Sequence, residues 1–135
     1  MPIQPYLFFN GRCDEAVAFY QEALGAEVMM LLRFKQAPDQ SMIRPENAEK
    51  VMHARLRIDD AIVLMSDGMC TGEPQNFEGF SLTLSTSTAA EVDRRFNALA
   101  QGGQVRMPLA KTFFSPRFGM LTDKFGVGWI LLVEA

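Results

Sequence analysis

Laid over itself at an offset of 77 residues, the chain repeats. FYQEALGAEV (19–28) falls on FNALAQGGQV (96–105) without a gap, pairing Phe19 with Phe96, Ala23 with Ala100, Gly25 with Gly102 and Val28 with Val105. These identities sit where a helix ends, a glycine stops it and the next strand begins, which is where two copies of one unit have to agree. The same offset carries PYLFF (5–9) onto LTLST (82–86), the opening strand of each copy. The chain has 135 residues, so each copy has room for only a few short elements, and they must recur in the same order.

Periodicity supplies that order. IQPYLFF (3–9) is short, aromatic and bounded by Pro and by Asn10-Gly11, which predicts a strand. In CDEAVAFYQEALG (13–25) the apolar Ala16, Val17, Tyr20, Ala23 and Leu24 recur at helical spacing, with Asp14 and Glu15 in the first turn and Gly25 as the stop. AEVMMLLRFK (26–35) is a strand and APDQSMIRPENAE (37–49) a loop. VMHARLRI (51–58) and AIVLMSD (61–67) form a hairpin around Asp59-Asp60. GMCTGEPQNFEG (68–79) has turn residues without period and reads as a linker. The second copy opens with FSLTLS (80–85), and a capping box at Thr88 and Glu91 starts a helix in which Val92, Phe96 and Leu99 share a face. Gly102-Gly103 end it, and QVRMPLAKTFF, RFGMLTD and GWILLVE supply three more strands, with KFGV (124–127) as the last turn. The expected class is α+β: two βαβββ modules, 1–67 and 80–135, in one domain spanning 1–135.

Composition narrows the function. Hydrophobic residues at 48% and charged residues at 21% are globular values, and no apolar run reaches the roughly 18 residues of a membrane span. The N-terminal MPIQPYLFFNGR lacks the features of a signal peptide, so a cytoplasmic protein is expected. Cys13 and Cys70 are far apart, and reduced thiols are the expectation. A net charge of −3 argues against non-specific nucleic-acid binding.

The AFYQEALGAE (18–27) helix end and the closing LTDKFGVGWILL (121–132), in paired βαβββ modules, resemble the vicinal oxygen chelate superfamily, which includes glyoxalase I, fosfomycin-resistance proteins and extradiol dioxygenases. PYLFFNGRCDEAVAFYQEALGAE, MHARLRIDDAIVLMSD and the pattern at 118–129 are similar to its PhnB-like branch. The resemblance implies a glyoxalase-like fold, a curled mixed sheet around an internal cup, and, in active members, a divalent metal held by His or Glu on the first and last strand of each module. Those positions map onto Pro5, onto Gly79 or Phe80, onto the apolar AIVLM strand before Ser66-Asp67, and onto Ile130, none of which offers a metal-binding side chain on its strand. No metal and no cofactor are therefore expected. Methyltransferase labels attached to PhnB-like sequences gain no support, because no strand runs through a Gly-rich turn into a helix.

His53 is the single histidine. Side chains alternate along 51–58, putting Val51, His53, Arg55 and Arg57 on one face and Met52, Ala54, Leu56 and Ile58 on the other. If the polar row faces the implied cup, His53 and Arg55, with Tyr6, Phe8 and also Arg33 and Lys35, can line it, and Phe114 and Trp129 are the aromatic candidates from the second module. Two readings of His53 stay open: a cavity residue able to exchange protons near neutral pH, or a hydrogen-bonded structural histidine. As a metal ligand it would need Cys70, Glu73 or Asp67 beside it. Cys13 reads as a packing residue at the helix start, Asp123 as a turn former, and the five aromatics Phe113, Phe114, Phe118, Phe125 and Trp129 as mostly core. The function expected is binding of a small anionic or oxygen-rich molecule without the usual metal, by a homodimer. The alternative is a metal-dependent lyase, isomerase or transferase using displaced ligands.

Overall fold

A computed structural model describes residues 2–73 and 75–134. Contacts divide the chain into two compact units, Met1–Gln75 and Asn76–Ala135, with the boundary inside the stretch expected to be a linker. The first unit runs β1 (Tyr6–Phe8), α1 (Cys13–Leu24), β2 (Glu27–Arg33), β3 (Val51–Ile58) and β4 (Ala61–Ser66). The second runs β5 (Leu82–Thr86), α2 (Ala89–Ala100), β6 (Gln104–Ala110), β7 (Phe118–Thr122) and β8 (Gly128–Val133). The repeat is visible at the residue level: Gly25 and Gly102 both sit in the left-handed region, at φ 66° and 77°, where a glycine ends a helix without steric cost.

Each unit closes its own sheet, in the orders β1-β4-β3-β2 and β5-β8-β7-β6. In both, the first strand lies parallel to the last while the other pairs are antiparallel. Each module thus has its own four-stranded mixed sheet, as the repeat implied, because each opening strand finds its partner inside its own module. The structure has the α+β architecture read from the repeat and the two-module organisation of the glyoxalase-like fold that the resemblance implied.

Alternation decides which face of each sheet is covered. In the first unit Ala54, Leu56 and Ile58 of β3 and Val63 and Met65 of β4 are buried together with Ala16, Val17, Tyr20 and Leu24 of α1. Leu84, Leu121, Trp129, Leu131, Val92, Phe96 and Leu99 make the equivalent core of the second. Each large apolar side chain buried this way contributes roughly 1.5–3 kcal/mol. One expected row breaks. Val51 is fully buried instead of sharing the His53 face, because pairing jumps from Leu32 with His53 to Arg33 with Val51, and the bulge flips the side-chain parity.

Several element ends differ from expectation. β1 and β2 are shorter than 3–9 and 26–35, β5 begins two residues later than residue 80, and β6 stops before Lys111. The loop after β2 is held firmly. Gln40 Nε2 donates to the carbonyls of Phe34, Lys35 and Ala37, and Lys35 pairs with Glu49. Residues 68–73, expected as linker, are tied back by Asn10, which accepts from Thr71 N–H and donates to the Glu73 carbonyl.

Candidate functional site

Strand register sets one surface. Tyr6 lies opposite Leu64, Leu64 opposite Arg55 and Arg55 opposite Met30, so these four share a face; Phe8 opposite Ser66 and His53 opposite Leu32 add a second row to it. It is the face of the first sheet turned away from the α1-covered core, and Tyr6, Phe8 and Met30 are partly exposed on it. Four of the expected site residues, Tyr6, Phe8, His53 and Arg55, come together there.

Their contacts give the face its chemistry. Tyr6 Oη lies 2.8 Å from His53 Nδ1, and the Tyr6 ring stacks on Phe8 with centroids 4.8 Å apart. Burial raises the Tyr6 pKa above its ordinary value, so the group is a neutral phenol across the physiological range. Arg57, the next residue along the polar row, is paired with Glu27. Arg55 has no hydrogen-bond or ion-pair partner among the described residues. An uncommitted guanidinium beside a fixed imidazole, with Leu64 and two stacked rings adjoining, suits an oxyanion that carries an apolar part.

Other expected members fall elsewhere. Arg33 grips Asp14 of α1 through two bonds of 2.9 and 3.0 Å, and Lys35 pairs with Glu49. The bulge turns Arg33 toward the helix side. Trp129 does not line an open face: it is 3% exposed in the second core and donates its indole N–H to Asp123 Oδ2 at 2.9 Å, because β8 points its odd-numbered residues at α2. Phe114 is half-exposed and packs edge-on against Phe118, with centroids 5.1 Å apart. Phe113 is fully exposed, so the C-terminal aromatics are less uniformly core than their clustering implied. Met29, Met30 and Met107 are exposed.

The metal that the resemblance implies does not fit the residues present. Pro5, Gly79, Phe80 and Ile130 offer carbon, and the cleft of about 480 Å³ that Gly79 and Phe80 line also holds the Arg106 cation. Of the carboxylates near these positions, Glu78 accepts from Asn76 Nδ2 in that cleft, and Asp67 is buried and fully engaged: Oδ1 accepts from Gly11 N–H and Cys13 N–H, and Oδ2 from Val51 N–H, each at 2.8 Å. Among the described residues no three His, Cys, Asp or Glu side chains group around a point, so Cys70 and Glu73 do not join His53 as ligands.

Sequence reasoning missed a cleft of about 410 Å³ between the loop after β2 and residues 68–71, with Met42, Arg44, Asn47 and Cys70 among its walls. The signal was in the repeat. β2 and β6 keep the 77-residue offset, but residues 34–50 separate β2 from β3 while only 111–117 separate β6 from β7, and the surplus builds the cleft.

The profile of the family described as 3-demethylubiquinone-9 3-methyltransferase matches residues 1–132. The chain belongs to that family. As a member of the 3-demethylubiquinone-9 3-methyltransferase family it is 38% identical over 141 residues to Protein YjdN of Escherichia coli (strain K12), across 98% of this chain and 95% of that protein. Protein PA1353 from Pseudomonas aeruginosa superposes with a TM-score of 0.87 at 40% identity, covering 99% of this chain and 98% of that one. The PhnB protein from Bacillus cereus gives 0.78 at 30%, covering 98% and 99%, and marks the PhnB-like branch. FosX, the fosfomycin resistance protein of Listeria monocytogenes, gives 0.66 at 13%, covering 100% and 93%, a likeness of fold that carries the glyoxalase-like architecture. Among the described residues no Gly-rich strand-to-helix turn stands ready to cradle the nucleotide-like donor that the methyl transfer in the family's description would use. The one glycine that leads from a strand into a helix is Gly11, and Asp67 already occupies the N–H groups at that helix start; Thr88 caps the other, accepting from Glu91 N–H.

Proposed function

We propose that this protein binds a small anionic or oxygen-rich molecule on the open face of its first sheet, and does so without a resident metal. The observation that carries the reading is Arg55, a cation with no partner among the described residues, beside the Tyr6–His53 hydrogen bond. Arg55 supplies charge-assisted donors, His53 a directional contact, and Tyr6 and Phe8 an apolar wall. We further propose that residues 1–135 work as one domain in a cytoplasmic homodimer that binds neither nucleic acid nor membrane. Two free thiols, Cys13 and Cys70, support a reducing compartment, and no helix among the described residues is long and apolar enough to cross a membrane.

The test is a thermal-shift and calorimetric screen of small carboxylates and phosphates against the intact protein and Arg55→Gln. Loss of a charge-assisted contact worth about 1.5–3 kcal/mol should weaken binding by roughly 10- to 100-fold with the melting temperature of free protein unchanged. Equal binding by the variant would end the assignment. Stoichiometric zinc, nickel or manganese in untagged protein would instead favour metal-dependent lyase, isomerase or transferase chemistry.

A further inference from the structure

We propose that His53 faces the ligand as a hydrogen-bond donor and, together with Arg55, selects small carboxylates that carry a second oxygen acceptor on the carbon next to the carboxyl group. The inference rests on the reading that this face binds an anion, and it adds the ligand class.

The direction of the Tyr6–His53 hydrogen bond fixes the free donor of the imidazole. Tyr6 remains a phenol because burial opposes its ionisation, so it has one proton to give, and His53 Nδ1 lies 2.8 Å from its oxygen. A phenol O–H is a better donor than a neutral imidazole N–H, and an imidazole nitrogen a better acceptor than a phenol oxygen, so Tyr6 donates and Nδ1 accepts. With Nδ1 accepting, the proton of a neutral imidazole must sit on Nε2, and an imidazolium keeps it there. Among the described residues His53 has no partner other than Tyr6, which leaves Nε2–H for a ligand.

Arg55 stands two residues along the same face, about 6–7 Å away in backbone terms. A guanidinium takes both oxygens of a carboxylate. The remaining donor, Nε2–H, then falls to a hydroxyl or carbonyl oxygen one carbon further along. Leu64 and the stacked Tyr6 and Phe8 rings receive an apolar tail. The class is a 2-hydroxy or 2-oxo carboxylate with an apolar substituent. Arg55 and His53 offer donors only, so the face discriminates against amines and unsubstituted hydrocarbons.

Two measurements decide it. Nitrogen-15 NMR of ring-labelled histidine reports a single residue here, and should show Nε2 protonated and Nδ1 accepting in intact protein at neutral pH, with Tyr6→Phe relaxing toward a mixture. Titration with 3-phenyllactate, 3-phenylpropionate and 2-phenylethanol should rank them in that order. The first should bind at least 5-fold more tightly than the second, the gap should close in His53→Phe, and circular dichroism should verify the fold of each variant. A proton on Nδ1, or equal affinity for the two acids, overturns the inference while leaving anion binding intact. If neither acid binds, the anion-binding reading fails, and the ring-nitrogen shifts still judge the donor assignment on their own.

Discussion

Asp67 and Asp123 do the same work in the two units. Each is nearly fully buried and its carboxylate accepts three N–H groups: Gly11, Cys13 and Val51 for the first, Phe125, Val127 and the Trp129 indole for the second. Removing such an acceptor strands buried donors as well as losing charge-assisted bonds, so Asp67→Ala should cost about 3–5 kcal/mol in urea denaturation. The Cys13 thiol is wholly buried, and that burial, with Asp67 and Asp14 adding negative charge, raises its pKa far above the ordinary 9.0. Below about pH 9 the thiol is neutral in both folded and unfolded chains; above it only the unfolded chain ionises readily, and stability is lost. Melting temperature should therefore fall more steeply between pH 8 and 10.5 for the native protein than for Cys13→Ala. The thiol should also resist alkylation until the protein is denatured.

Among elements, the junctions are the points of greatest constraint. Gly25 closes α1 at φ 66° with open space around its α-carbon, so Gly25→Ala meets only the left-handed backbone penalty of about 1 kcal/mol. Gly103 is different. A β-carbon there would stand 2.1 Å from the Thr122 carbonyl oxygen and 2.9 Å from the Asp123 α-carbon, both backbone atoms that cannot swing away. Gly103→Ala should separate the start of β6 from the end of β7, lowering the melting temperature several times more than Gly25→Ala in parallel calorimetric scans. The bulge opposite Arg33 matters for the site, since it places His53 on the open face while the buried Val51 joins the core. Without it, the polar row would lie in strict register and Arg33 could not reach Asp14.

For the whole molecule, light scattering at micromolar concentration should give twice the 15.1 kDa chain mass if the proposed homodimer is right, and a monomer value would remove it. The sequence by itself determined the two βαβββ units, both helices with their stop glycines, the Asp59-Asp60 hairpin and the side-chain alternation of β3 from His53 onward, because these depend on contacts a few residues apart and leave periodic traces. It also made Pro5, Phe80 and Ile130 readable as positions without metal ligands. Only the tertiary structure decided that Tyr6 meets His53 across β4, that Asp67 rather than a bound anion fills the α1 N-terminus, and that Trp129 is core while Arg55 stays uncommitted. Those outcomes turn on strand register and on one bulge. A shift of a single residue exchanges the two faces of a strand, and pairing between residues dozens of positions apart has no local periodicity from which to read it.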